Sequence, residues 1–322
     1  MAPKLNARRK HKPLSVPVRM DQLDAAENAF FGQALEQVKA QTYDRKLPQF
    51  KARGFIPIDP TIDRDTESMI VRSYDMVGQA RLLASYADDL PRADVFSTEQ
   101  RVQFRPIGTS YGYSLFEVRA AAKAGVALDQ KKAMAARRTV ESLIDRVLAK
   151  GDTATGLVGL LNQPNATTFA IPNGAGGSPA WADKTPKEIV DDLIGICEEI
   201  IDSTNEVESP NMILIPRAQM TILRTTQFSV ASDKTILEWF RANYGGQIGI
   251  DTWHRLQGAG TGGTDRMVAY TMSPDHLQGA IPQEFEQLPV QERNLEFIIP
   301  CHARVGGVLA YYPLSIAYGD GI

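Results

Sequence analysis

The stretch Glu67–Tyr113 constrains this chain most, because it alternates like a long β-ribbon and has no obvious helix beside it to cover it. MIVRSYDMVGQARLLASYA is followed by the polar DDLPRADVFSTEQ. RVQFR then places Val102 and Phe104 on one face and Arg101, Gln103 and Arg105 on the other. A ribbon nearly as polar as it is apolar buries little against its own chain and is marginal by itself. It therefore needs a partner, and another copy of the protein is one candidate.

The rest of the chain has ample material for a core. Its 322 residues are 43% hydrophobic and 23% charged, an ordinary globular composition that excludes collagen, coiled coil and wholesale disorder. No apolar run reaches the eighteen or so residues of a membrane helix, so no membrane is expected. Charge is distributed unevenly. Six of the 35 bases lie in residues 1–20, which hold no acid, leaving 29 bases against all 38 acids in residues 21–322, a balance of −9. Because no apolar stretch follows it, this start does not read as a secretory signal peptide. It reads either as a solvated tail or as an arm whose Lys4, Arg8, Arg9, Lys10 and Lys12 meet nucleic acid or an acidic protein by counterion release.

Helical spacing of Leu23, Ala26, Phe30, Ala34 and Val38 predicts an amphipathic helix over 21–40. Residues 44–66, with Pro48, Pro57, Pro60 and many charges, suit an extended connector better than packed core. Ser114 and Glu117 form a capping-box pattern opening a short helix to about Ala124. A stripe through Ala136, Val140, Ile144, Val147 and Leu148 predicts a long helix over 128–150, stopped by Gly151. Residues 151–183 are a Gly/Pro/Asn-rich loop that marks a domain boundary. Thr185-Pro-Lys-Glu188 then starts a helix running to about Ser203. Further on, 211–215 and 267–272 read as strands, 216–224 and 233–243 as helices, 274–279 as a helical turn, and the last thirty residues as two strands. Strands and helices mix without a βαβ rhythm, which is α+β.

Catalytic constellations are wanting. Gly258-Ala-Gly260-Thr-Gly-Gly263 has the letters of a dinucleotide fingerprint but leads into a strand, so it reads as a surface loop and no cofactor is expected. His11, His254, His276 and His302 are dispersed, and Cys197 and Cys301 read as buried structural thiols rather than metal ligands. The pairs Asp88-Asp89 and Glu198-Glu199 read as solvated faces, not an acid/base dyad.

The order of parts, together with TYDRKLPQFKARGFIPID, YADDLPRADV, YGYSLFEVRAAAKAGVALDQKKAMAARR and GDTATGLVGLLNQPN, resembles major capsid proteins of tailed bacteriophages and prophages. Their shell fold is shared with encapsulin compartments. The likeness runs from about Phe30 to Tyr318. It implies an N-terminal arm (1–66), an extended E-loop (67–108), a peripheral domain (109–184) built on the spine helix 128–150, and an axial domain (185–288). Strands 289–312 would return to the peripheral domain, and 313–322 would supply an axial strand. It further implies a virion protein assembled in the bacterial cytoplasm into pentamers and hexamers, with the E-loop lying across a neighbour. Portal and scaffold or decoration proteins would be its partners, and packaged double-stranded DNA would be touched weakly. An encapsulin-like shell is the alternative, and an enzyme with an unrecognised interdomain site a remote one.

Residues 52–122 hold eight arginines and no lysine, so the lysine–asparagine weld of some such shells is not expected. The expected contact residues are Arg72, Arg81, Arg92, Arg101 and Arg105, pairing with carboxylates such as Asp75, Asp88, Asp89 and Asp94 of a neighbour.

Overall fold

A computed structural model describes residues 49–80, 92–124, 130–229 and 232–322. Its first helical turn, α1 (Ala52–Phe55), corrects the expectation of an unpacked connector, since Ala52, Phe55 and Ile56 are buried in the main core. Pro57 and Pro60 do stop a helix, but the residues before them are held from four directions. Asp145 accepts from the Ala52 amide (3.1 Å), Lys51 donates to the Thr252 carbonyl (2.9 Å), and the Tyr270 hydroxyl donates to the Phe55 carbonyl (2.7 Å). Arg53 grips Glu284 with both Nη atoms, at 2.7 and 2.8 Å. Ile58 then bridges Gly279, where a Cβ would stand 2.8 Å from the Ile58 Cδ1, so any side chain there would push Ile58 aside.

The ribbon follows. β1 (Ser68–Val77) and β2 (Asp94–Gln103) pair antiparallel from Ser68↔Gln103 to Val77↔Asp94. β3 (Arg105–Ser114) leaves the ribbon and pairs over its whole length with β13 (Glu296–Val305), from Arg105↔Val305 to Ser114↔Glu296. At its end the capping box forms as expected: Glu117 accepts from the Ser114 amide (3.0 Å) and Ser114 Oγ from the Glu117 amide (3.1 Å), opening α2 (Leu115–Ala124). The long helix α3 (Gln130–Lys150) buries Ala136, Val140, Ile144, Val147 and Leu148, and Gly151 at φ 66° ends it. β11 (Gln283–Gln287) and β12 (Gln291–Arg293) pair one after the other along the opposite edge of β13.

The loop expected over 151–183 does more than connect. It buries Leu157, Leu160, Leu161 and Trp181 and contributes β4 (Thr167–Phe169) to a five-stranded sheet. The sheet's order is β4, β15 (Ile316–Asp320), β9 (Arg266–Tyr270), β5 (Met212–Ile215), β8 (Gly249–Thr252). Side chains on successive residues point to opposite faces, and both sets are apolar. Leu214, Val268, Tyr270 and Ile316 join Val140, Ile144, Leu148, Ala303 and Val305 in one core. Ile213, Ile215, Met267, Ala269 and Ala317 join a second core, built on α4 (Pro186–Ser203), α5 (Arg217–Thr225) and α6 (Ile236–Tyr244).

Thr185 and Glu188 cap α4 reciprocally, and hydrogen bonds from the Thr185 amide and hydroxyl and the Ala175 amide hold the Glu188 carboxyl below its usual range. Two local expectations are corrected. The hairpin β6 (Gln227–Ser229) and β7 (Ser232–Thr235) occupies the start of the helix expected at 233, because Thr235 caps α6 two residues later. The helical turn expected at 274–279 ends in β10 (Leu277–Ala280), drawn into pairing by β14 (Gly307–Ala310). The architecture is α+β.

Candidate subunit-contact surface

The ribbon is held at one end only. Met69, Val71 and Val102 pack against a small core of Phe104, Ala280 and Leu309. Beyond that root nothing among the described residues covers it: Met76 is 86% exposed, Tyr74 63% and Phe96 58%, with Val77 and Val95 also exposed. The register puts Tyr74, Met76 and Val95 on one face and Val77 and Phe96 on the other, so the far half is apolar on both sides. Single exposed apolar residues are ordinary, but five within the last four cross-strand pairs of an uncovered ribbon mark an interaction surface.

The structure distributes the expected charged contact residues in three places. Arg72 Nε donates to Glu99 Oε1 at 2.8 Å, directly across the ribbon, so its partner lies in its own chain; both side chains are more than half exposed and the pair contributes little. At the far end, Arg92 precedes β2, Asp94 accepts from the Val95 amide (2.8 Å), and Asp75 sits opposite Phe96. At the root, Arg101 is exposed and Arg105 donates to Gln103 Oε1 (2.7 Å). Arg81, Asp88 and Asp89, like Lys4, Arg8, Arg9, Lys10, Lys12 and the helix expected over 21–40, lie outside the described residues.

Two groups at the root were not singled out by sequence. Arg304 on β13 donates to the carbonyls of Arg64 (3.2 Å) and Thr66 (3.3 Å), pinning the strand that enters the ribbon. Glu67 shares a cleft with Arg101, Arg105 and Arg304. The alternation of CHARV hints at Arg304, but only the β3–β13 register brings it here.

Elsewhere the polar groups look structural. Asp145 is buried and joins three segments, accepting from the Ala52 amide and from Arg255 Nε (2.9 Å). Arg266 grips Asp320 at 2.6 and 2.8 Å. Burial alone would raise the Asp320 carboxyl, but the Arg266 guanidinium and the Thr261 amide outweigh it and hold the group below its usual range. That same Thr261 amide lies in the glycine loop 258–263, so it is committed to Asp320, and the loop leads into β9 instead of a helix. Burial pushes the Cys197 thiol up to about 12, far from a reactive thiolate, and raises Cys301 too. Among the described residues no group of three or more His, Cys, Asp or Glu is placed to hold a metal ion, and no helix is long and apolar enough to cross a membrane.

The family model described as major capsid protein matches residues 78–322, from the far half of the ribbon through the last strand. The chain belongs to the major capsid protein family. A capsid protein is a structural component of the virion that associates with its own copies.

Solved structures share the fold of this capsid protein at low identity. The capsid of Myoviridae phage XM1 aligns with a TM-score of 0.78 at 15% identity, covering 90% of this chain and 98% of that one. The capsid of an empty GTA particle gives 0.63 at 12% identity, covering 92% and 99%. A virus-like particle from Pyrococcus furiosus gives 0.54 at 12%, covering 83% and 91%. No curated protein matches the chain by sequence.

Proposed function

We propose that this capsid protein builds the icosahedral head of a tailed phage or prophage, assembling in the bacterial cytoplasm through pentamers and hexamers around double-stranded DNA. The observation that carries the reading is the half-covered ribbon, anchored on Phe104, Ala280 and Leu309 and bare from Tyr74 outward. In this reading the ribbon is the E-loop and lies across a neighbouring subunit. The helix Gln130–Lys150 is the spine of the peripheral part, and the five-stranded sheet is the heart of the axial part. Each contact need bury only on the order of 1,200–2,000 Å², because many modest contacts in a closed lattice act together. Portal and scaffold or decoration proteins complete the head. The basic start of the chain meets packaged DNA or scaffold, while the acidic remainder keeps the container from gripping its contents.

The test is to express the whole chain and to examine it by electron microscopy beside the double variant Tyr74→Asp, Met76→Asp. Closed particles from the parent and folded, unassembled subunits from the variant are expected. A stable solitary parent molecule, or normal particles from the variant, would refute the reading.

A further inference from the structure

The helix α3 is basic on the side it turns to solvent. Of its 21 residues six are bases and two are acids, and other segments take up both acids: Glu141 faces Arg53 (3.4 Å), while the buried Asp145 accepts from Arg255 (2.9 Å) and the Ala52 amide. At 3.6 residues per turn, Lys131, Arg138, Arg146 and Lys150 fall within about a third of the circumference, opposite the buried Val140, Ile144 and Val147. Within that arc the helix holds no acid. Lys131, Arg146 and Lys150 are exposed, and the half-buried Arg138 is steadied over the Phe50 ring at 4.9 Å. The stripe runs against the composition around it. Residues 115–150 hold eight bases against four acids, whereas the rest of residues 21–322 holds 21 against 34.

Lys150 lies nineteen residues after Lys131, so the stripe runs about 28 Å at 1.5 Å per residue. Its steps along the axis are about 10, 12 and 6 Å, the scale of the two grooves that part the phosphate strands of B-DNA, about 12 and 6 Å wide. Between the bases stand Ala135, Thr139 and Ser142, short enough for a phosphate backbone to come close. We infer that this face of α3, set by Lys131, Arg138, Arg146 and Lys150, is a phosphate-binding stripe that holds double-stranded DNA by its backbone, without regard to sequence. A hold by about four phosphates is weak and salt-labile, so it aligns a duplex without trapping it. The inference rests on the shell reading only for the source of that duplex, the packaged genome.

An acidic protein is the less fitting occupant. Protein contacts are anchored on clusters of large apolar or aromatic groups, and beside the stripe α3 exposes Met134 alone. A phosphate backbone asks only for spaced positive charge, which the lysine and arginine side chains supply along a straight rod. Elsewhere the body repels it: α4 turns Asp191, Glu198 and Asp202 to solvent.

The experiment measures binding of the unassembled full chain to a fluorescent duplex of about 30 base pairs, roughly 100 Å long, across a salt series. The triple variant Lys131→Gln, Arg146→Gln, Lys150→Gln should weaken binding about tenfold or more at low salt and flatten the slope of log affinity against log salt by about 2 to 3. Each single change should flatten it by about 0.9, a reading that stands even where the triple folds poorly by circular dichroism and melting temperature. As a control, Lys187→Gln, Arg217→Gln, Arg241→Gln removes the same charge from exposed sites on α4, α5 and α6 and should move the slope by less than about 1. Unchanged binding by the stripe variants would overturn the inference, and so would equal losses in the two triples. Polyglutamate that binds the parent more tightly than the duplex, with that binding lost in the stripe triple, would assign the face to an acidic protein and overturn it too. A parent that forms no particles would bring down the shell reading and leave the binding measurement to decide this one.

Discussion

The ribbon and the five-stranded sheet use the same alternating geometry and meet opposite fates. In the sheet, residues of both parities are apolar and both find cover inside the chain: Leu214 and Val268 face the long helix, Ile213 and Met267 the helices α4, α5 and α6. In the ribbon, apolar side chains also occupy both faces beyond Tyr74, yet the described residues offer them no cover. The first pattern is a folding element whose burial stabilises the monomer. The second leaves apolar area uncovered, and in the proposed assembly its contribution is deferred until copies meet. On that proposal one chain separates the residues that hold it together from those that hold it to others.

That separation can be broken or sharpened experimentally. Val268→Ala, at a position with no exposure, should lower unfolding free energy by about 1–3 kcal/mol in denaturant titrations of the unassembled protein, whereas Met76→Ala should change it by less than about 0.5 kcal/mol. Equal losses would erase the distinction. Asp145→Ala should cost about 3 kcal/mol, more than Val268→Ala in all but its upper range, by leaving the Ala52 amide and the partly buried Arg255 without their acceptor; a loss below 1 kcal/mol would deny that this carboxylate ties the body together.

A third prediction concerns pH. The Asp320 carboxyl is held below its usual range in the fold, so its contribution is complete above the ordinary aspartate value of about 4 and is lost as pH falls through the lower folded value. Melting curves should therefore show less acid destabilisation for Asp320→Asn than for the parent, with the variant less stable at neutral pH; parallel acid limbs would contradict this. The ribbon's own ion pair should matter little: Arg72→Ala should alter monomer stability by no more than about 1 kcal/mol, because Glu99 and Arg72 are both solvated.

What could be read from sequence was local. The capping boxes at Ser114/Glu117 and Thr185/Glu188 needed only neighbours three residues apart, and the helix Gln130–Lys150 only its own periodicity. The uncovered ribbon was also legible, since alternation without a covering helix is a pattern within one stretch. The segment 49–62 misled because prolines and charges suggested solvent, while its burial is decided by Asp145, Thr252, Tyr270 and Gly279, between about 90 and 220 residues away. Pairing at the contact surface was illegible for a related reason. Arg72 could be seen as a contact residue, but only the strand register sets it against Glu99, and only the β3–β13 ladder brings Arg304 to Arg101.

The seating of the ribbon on Phe104, Ala280 and Leu309 has a mechanical corollary. Contact with that patch runs only from Met69 to Val71, whereas the paired strands continue to Val77, so the root acts as a fulcrum near one end of a stiff lever. A tilt of a fraction of an ångström there becomes a displacement several times larger at the far end, while the rest of the molecule keeps its shape. In the proposed shell a single rigid body can in this way accommodate neighbours set at different angles, and curvature becomes a property of the joint instead of the subunit.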